Sequence, residues 1–147
     1  MNNIDKAFRG VKSIGQFSKE YFSYLSKVLD SISENEINKL GEVFESARFS
    51  ENTIFVAGNG GSAVTATTMA NDIGFDILKK TNTDKAFKVL ALTDNNSVIT
   101  AIANDVGYKN IFINQLKIHY RPGDYLIVIS ASGNSQNVLK AAEWVKS

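Results

Sequence analysis

From Thr53 onward the sequence alternates short apolar runs with glycine- or serine-containing turns and longer amphipathic stretches. The apolar runs extend from Thr53 to Ala57, from Lys88 to Leu92 and from Tyr125 to Ile129. Mostly continuous apolar runs are typical of parallel strands that are buried on both faces. Helices are predicted after these strands, at about Ser62 to Leu78, Ser97 to Ala103, Asn110 to Tyr120 and Asn134 to Lys146. The pattern therefore predicts an α/β fold, a three-layer α-β-α sandwich with right-handed connections.

The residues up to about Ala47 are predicted to form two helices that precede this sandwich. Apolar residues in the first helix recur every three or four positions, which lines them along one broad face. They are Phe8, Val11, Ile14, Phe17, Tyr21, Leu25, Val28 and Ile32. The second helix begins with a capping box, Ser33 followed by Glu36. These helices either cover the sheet or form an interface between subunits, because their aromatic surface must be hidden.

The length of 147 residues and the hydrophobic content of 44% suit one globular domain. We expect a single domain in which residues 1–49 form an N-terminal helical segment and residues 50–147 form the α/β core. A polar surface loop is predicted at Lys79 to Lys85 and a turn at Arg121 to Asp124. Three parallel strands make a thin sheet, so we expect either a shortened chain that lacks C-terminal strands or oligomer contacts over the exposed sheet edge.

The charge balance argues against recognition of large charged surfaces. With 16 Lys and Arg against 15 Asp and Glu, the net charge is +1, which gives no general attraction to nucleic acid or to an acidic membrane. The sequence contains no cysteine, so it has no disulfide framework and no thiolate nucleophile. It also shows no leader pattern and no apolar run long enough to span a membrane. We expect a cytoplasmic protein that recognises its ligand locally.

Two of the predicted strand-to-helix turns have the composition of phosphate-binding loops. Gly58-Asn59-Gly60-Gly61-Ser62 follows the first strand, and Ser130-Ala131-Ser132-Gly133-Asn134-Ser135 follows the third. Glycine lets the backbone approach a ligand closely, hydroxyls donate hydrogen bonds, and the next helix presents unpaired N–H groups at the positive end of its dipole. Two such loops at the ends of neighbouring strands indicate a site for a phosphorylated small molecule.

The sequence resembles the sugar isomerase (SIS) domain family, and within it the phosphoheptose isomerase group. Four collinear segments carry the resemblance: Ala57 to Ala63, Leu92 to Asn95, Ala103 to Tyr108 and Ile129 to Ser135. The resemblance implies a flavodoxin-like sheet, a sugar phosphate ligand and a homodimer or homotetramer, which we expect to assemble through the N-terminal helices. It also implies interconversion of a ketose and an aldose, for example of sedoheptulose 7-phosphate and a heptose 7-phosphate.

The same resemblance assigns roles to individual residues. It implies that the hydroxyls of Ser130, Ser132 and Ser135, with backbone N–H groups of their loop, hold the phosphate. Several neutral donors and a helix N-terminus suffice to bind a dianion without Lys or Arg. The alternative is that these serines serve only as turn and N-cap residues.

By the same resemblance, the sugar chain lies beside the first loop, and two aspartates lie near its hydroxyls. The residues concerned are Asn59, Gly60, Ser62, Asp94 and Asp105. For Asp94 the alternative is a turn or helix-capping acid.

Catalysis is the point at which this sequence departs from the family pattern. Ketose–aldose interconversion proceeds through an enediol and needs a base beside C1 and C2. The family carries a glutamate on the helix after the first loop, where this chain has the shorter Asp72, and in some members a metal-binding histidine, where it has Thr68. Asp72 is the candidate base by this resemblance, and the alternative is a polar residue on a helix that keeps the family shape. The family's C-terminal histidine has no counterpart in this sequence. His119 is interpreted as a surface or packing residue, and we expect neither a metal nor another cofactor.

Two further functions stay open beside a phosphosugar isomerase. One is a non-catalytic sugar phosphate binding or regulatory module that uses the same loops. The other is a dinucleotide-binding fold, because residues 58–63 also match G-x-G-x-x-G/A. That fold requires an acidic residue closing the second strand, whereas Asp94 lies beyond Leu92, and it leaves the serine-rich loop without a role.

Overall fold

The computed structural model of the protein describes residues 3–147. It divides into one unit that ends at Gly41 and a second unit, Glu42–Ser147. The helices are α1 (Asn3–Arg9), α2 (Ile14–Asp30), α3 (Glu34–Phe49), α4 (Gly61–Met69), α5 (Ile77–Thr81), α6 (Asn96–Val106), α7 (Ile111–His119) and α8 (Gln136–Lys146). The strands are β1 (Thr53–Gly58), β2 (Lys88–Ala91) and β3 (Tyr125–Ile129).

Strand β1 lies at the centre of a parallel sheet with the order β2-β1-β3. Phe55 pairs with Leu90 of β2 on one side and with Leu126 of β3 on the other. The residues of β1 from Ile54 onward are buried, which explains why the run is apolar at every position rather than at alternate ones. The predicted α/β fold with a parallel sheet is confirmed.

Two separate cores cover the two faces of the sheet. On one face, Phe55 and Ala57 pack with residues of α7 and α8, among them Phe112 and Val138. On the other face, side chains from α3 and α4 pack with Val56 and its neighbours. Helices on both faces give the three layers, and they leave the carboxyl ends of the strands open for a ligand.

The turn before β3 is tied to the beginning of β1, and this sets the register of the two strands. The backbone N–H of Thr53 donates to one carboxylate oxygen of Asp124 at 2.7 Å, and the N–H of Arg121 donates to the other at 2.8 Å. The predicted turn at Arg121 to Asp124 is confirmed, with Gly123 at a φ of 96°. The Tyr120 hydroxyl donates to the backbone oxygen of Asp124, and burial raises the pKa of this phenol.

The N-terminal region differs from the prediction, because the first predicted helix is in fact two helices, α1 and α2. Ser13 adopts an extended conformation, and its hydroxyl accepts the N–H of Gln16 at 3.1 Å. This cap begins a new helix at Ile14. Helix α1 ends at Arg9 because the next residue, Gly10, is a weak helix former. The second predicted helix is confirmed as α3, and the Ser33 hydroxyl accepts the N–H of Glu36 at 3.4 Å.

The segment after α4 also differs from the predicted single helix. Residues Ala70–Asp76 form a π-helical segment between α4 and α5. Helix α5 then continues to Thr81 and ends where Asn82 adopts a left-handed conformation with a φ of 47°. The loop predicted at Lys79 to Lys85 was therefore placed too early, because its first three residues are helical. Helix α8 begins at Gln136 rather than Asn134, since Ser135 is extended.

The unit that ends at Gly41 exposes much of its apolar surface. Helix α2 has 17 residues, and none of them is buried. Phe8 and Phe17 pack edge to face with their ring centroids 5.3 Å apart, yet Phe8 stays 54% exposed. Within residues 3–147 we find no helix with the length and apolar character needed to cross a membrane.

Candidate functional site

A cavity of about 210 Å³ lies at the carboxyl ends of β1 and β3. It is lined by Asn59, Ser62, Ile129, Ser130, Ala131, Ser132 and Ser135. The two predicted loops meet here because β1 and β3 are adjacent and Gly58 pairs with Ile129, so both loops leave the sheet at the same level. The cavity therefore joins the glycine-rich loop to the serine-rich loop, as their positions in the sequence predict.

The first loop is compact because Gly58 lies against the beginning of α4. A Cβ atom on Gly58 would lie 2.7 Å from the Cβ of Ser62 and 2.8 Å from its backbone carbon and oxygen. Gly60 precedes α4 with a φ of 55° and a ψ of −121°, a conformation that side chains disfavour. The close approach at Gly58 places Ser62 on the cavity wall and directs the N-terminus of α4 toward the cavity.

We expect Gly58→Ala to destabilise the protein by about 1–3 kcal/mol, because the added methyl group would overlap the backbone of Ser62. Urea unfolding followed by circular dichroism measures this change. Gly41→Ala in α3 is a matched control, since no atom lies within 4 Å of its added methyl group and alanine favours a helix. Wild-type stability of Gly58→Ala would contradict the close packing of this loop.

The serine-rich loop is held in shape by two of its own hydroxyls. The Ser130 hydroxyl oxygen accepts the N–H of Gly133 at 3.1 Å, and that of Ser132 accepts the N–H of Asn134 at 3.2 Å. Both serines thus have the turn role that we considered as an alternative, but an accepting hydroxyl can still donate its own proton. Ser135 occupies the N-cap position of α8 without a side-chain capping bond. All three hydroxyl groups can therefore donate to a ligand.

The electrostatics of the cavity come from neutral groups. Within the described residues, no charged side chain lines it. The N-termini of α4 and α8 lie at its wall, because Ser62 is the second residue of α4 and Ser135 directly precedes α8. Both helices have their positive dipole ends here, so the cavity favours an anion that accepts several hydrogen bonds.

An amide pair that sequence reasoning missed connects the glycine-rich loop to helix α8. Asn59 and Asn137 each donate to the other's side-chain oxygen, at 2.9 and 2.8 Å. Asn137 is only 3% exposed, and the Tyr108 hydroxyl donates to the oxygen of Asn59 at 3.0 Å. The one sequence feature that could have identified Asn137 as a site residue is its position two residues after Ser135, at the start of a predicted helix. No pattern in the sequence indicates that this polar residue is buried.

Asp94 and Asp105 are not among the residues that line the cavity. Asp94 is exposed and accepts the Thr67 hydroxyl at 2.6 Å, which joins the end of β2 to α4. The residue that caps α6 is Asn95, whose side chain accepts the N–H of Val98, so the capping role considered for Asp94 is wrong. Asp105 is exposed near the end of α6 and accepts the side chain of Asn104 at 2.9 Å.

Asp72 lies on the π-helical segment, well away from the cavity of its own chain. Its exposed carboxylate accepts the side-chain amide of Asn71 at 2.9 Å. Two residues later, Gly74 lies close to the backbone oxygens of Phe87 and Val89, at the beginning of β2. At a rise of 1.5 Å per residue, Asp72 is about 15 Å along the helix from Ser62. The structure therefore places Asp72 near the amino-terminal end of β2, whereas the phosphate loops lie at the carboxyl ends of β1 and β3.

The remaining candidates for acid–base or metal chemistry are scattered. His119 is exposed at the C-terminal end of α7, and Thr68 is exposed on α4. Between residues 3 and 147 no group of three His, Cys, Asp or Glu side chains is arranged to hold a metal ion. The polar side chains that meet at the cavity are hydroxyl and amide groups, which are suited to binding a ligand through hydrogen bonds.

Comparison with known proteins gives a consistent result. A family model described as SIS domain matches residues 16–147. A probable phosphoheptose isomerase of Thermoplasma volcanium is 38% identical over 127 residues, which is 86% of this chain and 63% of that protein. A phosphoheptose isomerase of Rhodospirillum rubrum is 38% identical over 133 residues, 90% of this chain and 66% of that protein. This chain thus spans slightly less than two thirds of the length of these curated relatives.

The solved structures agree with the sequence relatives. The phosphoheptose isomerase GmhA of Neisseria gonorrhoeae superposes with a TM-score of 0.77 at 28% identity, and the match covers 91% of this chain and 70% of that one. A phosphoheptose isomerase from Francisella tularensis gives a TM-score of 0.76 at 25% identity.

Proposed function

This chain belongs to the SIS domain family, and from that premise we propose that it is an isomerase of a phosphorylated sugar. The proposed reaction is the interconversion of sedoheptulose 7-phosphate and a heptose 7-phosphate. Relatives named phosphoheptose isomerase, at 38% identity, support this choice of substrate. The observation that carries the proposal is the cavity between the two loops, which presents several neutral donors at two helix N-termini.

In this proposal the phosphate occupies the cavity and accepts hydrogen bonds from Ser130, Ser132 and Ser135. A volume of about 210 Å³ is below the roughly 300–1,000 Å³ of pockets that enclose a whole small ligand. The cavity therefore holds the phosphate and the nearest part of the sugar, and the rest of the sugar chain extends beyond it. Asn59, Gly60 and Ser62 contact the sugar beside the phosphate, while Asp94 and Asp105 contact hydroxyls farther along.

The chemistry of the proposed reaction is a proton transfer between neighbouring carbons. A base removes a proton from C1 of the ketose, the electrons form the C1–C2 double bond, and the former carbonyl oxygen O2 gains a proton, which gives the enediol. A proton is then delivered to C2, and the O1 proton is lost as C1 becomes the aldehyde carbon. We assign the base to Asp72. Asp72 does not line the cavity of its own chain, so we propose that it acts on a sugar that is held by a second copy of the chain.

A homo-oligomer, a dimer or a tetramer, is therefore part of the proposal. We assign its contacts to the N-terminal helices, since α2 exposes a series of large apolar side chains that a partner would cover. They are Ile14, Phe22, Tyr24, Leu25, Val28 and Leu29. Sedimentation velocity tests this assembly, because a monomer at micromolar concentration would exclude it. We also propose a cytoplasmic location, where sugar phosphates are metabolised, and cell fractionation tests it.

A second function, sugar phosphate binding without catalysis, is favoured by one observation. The carboxylate at the base position belongs to an aspartate that lies far from the cavity of its own chain. The two functions differ in proton exchange. Proton NMR of sedoheptulose 7-phosphate with the protein in D2O detects loss of the C1 proton signal as an enediol forms. Exchange together with a new aldose signal supports the isomerase, whereas saturable binding without exchange supports the binding module.

A further inference from the structure

The amide pair between Asn59 and Asn137 connects the glycine-rich loop to the helix that follows the serine-rich loop. Asn59 follows β1 and lines the cavity, whereas Asn137 lies in the first turn of α8 and is almost completely buried. Their two reciprocal hydrogen bonds, of 2.9 and 2.8 Å, satisfy both amides on the sides that face each other. The orientation of Asn59 is therefore set by a residue that does not itself line the cavity.

The direction of these hydrogen bonds follows from the backbone. The N–H of Val138 can only donate, and it donates to the side-chain oxygen of Asn137 at 3.0 Å. The opposite end of the Asn137 amide must then be its NH2 group, which faces Asn59. An amide nitrogen can only donate, so the atom of Asn59 that faces it is the oxygen. The hydrogen bonds from Val138 to Asn137 and from Asn137 to Asn59 thus determine which side of the Asn59 amide is the oxygen and which is the NH2 group.

The remaining hydrogen-bonding capacity of Asn59 is a single donor. Its oxygen has two lone pairs, and these accept the NH2 group of Asn137 and the hydroxyl of Tyr108. Its nitrogen carries two protons, one of which is donated to Asn137. The other proton is left for a molecule in the cavity. Asn59 can therefore donate to a ligand oxygen but has no lone pair to offer a ligand.

We infer that Asn137 is a positioning residue that makes Asn59 a dedicated hydrogen-bond donor to the bound sugar phosphate. This inference rests on the proposed function. Without Asn137, the Asn59 amide is free to turn by 180° and to present its oxygen to the ligand. An amide oxygen facing a phosphate oxygen loses a hydrogen bond and leaves two acceptors in contact, so ligand affinity falls.

The test compares Asn137→Leu with the wild-type chain by calorimetry, with inorganic phosphate and sedoheptulose 7-phosphate as separate probes. Leucine removes both bonds to Asn59 without adding a charge, and the N–H of Val138 keeps its bond to the Ser135 oxygen at 3.0 Å. We expect the affinity to fall by about 10- to 100-fold, the usual effect of losing a hydrogen bond to a charged group. Loss for both probes assigns the donor to the phosphate, and loss for the sugar phosphate alone assigns it to a sugar oxygen. Either result supports the inference.

A double-mutant cycle separates positioning from a general structural effect. In an Asn59→Ala background, Asn137→Leu should cause little further loss, because the group that it positions is already absent. Asn110→Leu is a matched control, since the Asn110 side chain accepts Lys140 of the same helix α8 at 2.9 Å but does not line the cavity. Tyr108→Phe, at an exposed residue, removes one bond to Asn59 and should weaken binding by only about 2- to 10-fold.

Side-chain amide NMR provides a readout that does not depend on the ligand. In the wild-type chain the NH2 proton that Asn59 donates to Asn137 should exchange slowly with solvent, and Asn137→Leu should abolish that protection. If the wild-type chain binds neither probe, the proposed function fails, and the Asn59 signal still decides whether Asn137 positions it. Fast exchange of both NH2 protons of Asn59 in the wild-type chain overturns the inference. So does unchanged affinity in Asn137→Leu, or an equal loss in the Asn59→Ala background.

Discussion

Replacing Ser132 and Ser135 together by alanine is expected to weaken sedoheptulose 7-phosphate binding by at least about a hundredfold. Each hydroxyl has a proton to donate to the phosphate. The Ser132 oxygen already accepts the N–H of Asn134, and Ser135 forms no side-chain cap on α8. A hydrogen bond to a charged group contributes about 1.5–3 kcal/mol, so the loss of two such bonds is large compared with experimental error. Calorimetric titration measures the effect.

The fold should survive this double substitution, because Ser132 is exposed and Ser135 is partly so. Ser50→Ala serves as a control, since it removes a hydroxyl that lies between α3 and the amino-terminal end of β1, whereas the cavity lies at the carboxyl ends of the strands. We expect wild-type affinity for the control and nearly unchanged thermal midpoints for all the variants. Wild-type affinity in the double variant would show that the serine-rich loop does not hold the phosphate.

The substitution Asp72→Asn is expected to lower the isomerisation rate by about 10²- to 10⁴-fold, the usual contribution of a general base. The amide has nearly the same shape as the carboxylate but cannot accept the C1 proton. Asp72 is exposed, so stability should change by no more than about 0.5 kcal/mol. Phosphate binding should also persist, because Asp72 does not line the cavity. Steady-state kinetics with sedoheptulose 7-phosphate would show a fall in kcat with little change in KM.

Two further variants make this result specific to position 72. Asp76 lies on the same π-helical segment, where a hydrogen bond to Lys79 and the charge of Lys79 lower its pKa. Asp76→Asn removes one carboxylate from the same segment and should leave the rate unchanged. Asp72→Glu keeps the carboxylate and extends its reach, so the activity should be retained or raised. Equal rates in Asp72→Asn and the wild-type chain would assign the base to another residue.

The fold could be predicted from the sequence because parallel strands have a strong signature. Each residue of β1 from Ile54 to Ala57 is buried, and the sequence shows this directly as an unbroken apolar run. The loops could be predicted to meet for the same reason, since parallel neighbours end at the same edge of a sheet. What the resemblance added was the proposed identity of the ligand, because glycines and serines at helix N-termini bind many phosphates equally well.

The features that could not be predicted depend on contacts between distant segments. Asn137 is one of several asparagines, and only its pairing with Asn59, 78 residues away in sequence, reveals its position behind a residue that lines the cavity. The pattern of apolar residues does not indicate the π-helical segment around Asp72. The separation of Asp72 from the cavity depends on the direction in which α4 runs from Ser62. The break before α2 was missed because Ser13 marks a helix start only once its side chain is seen to cap Gln16.

The central claim is that the cavity between the two loops binds a phosphorylated sugar. Its most direct test is calorimetric titration of the chain with sedoheptulose 7-phosphate, with sedoheptulose and NAD as controls. We predict saturable binding of the phosphorylated sugar and no binding of the unphosphorylated sugar or of NAD, because the neutral donors and helix dipoles of the cavity recognise the phosphate. Equal binding of both sugars, or binding of NAD alone, would contradict the claim.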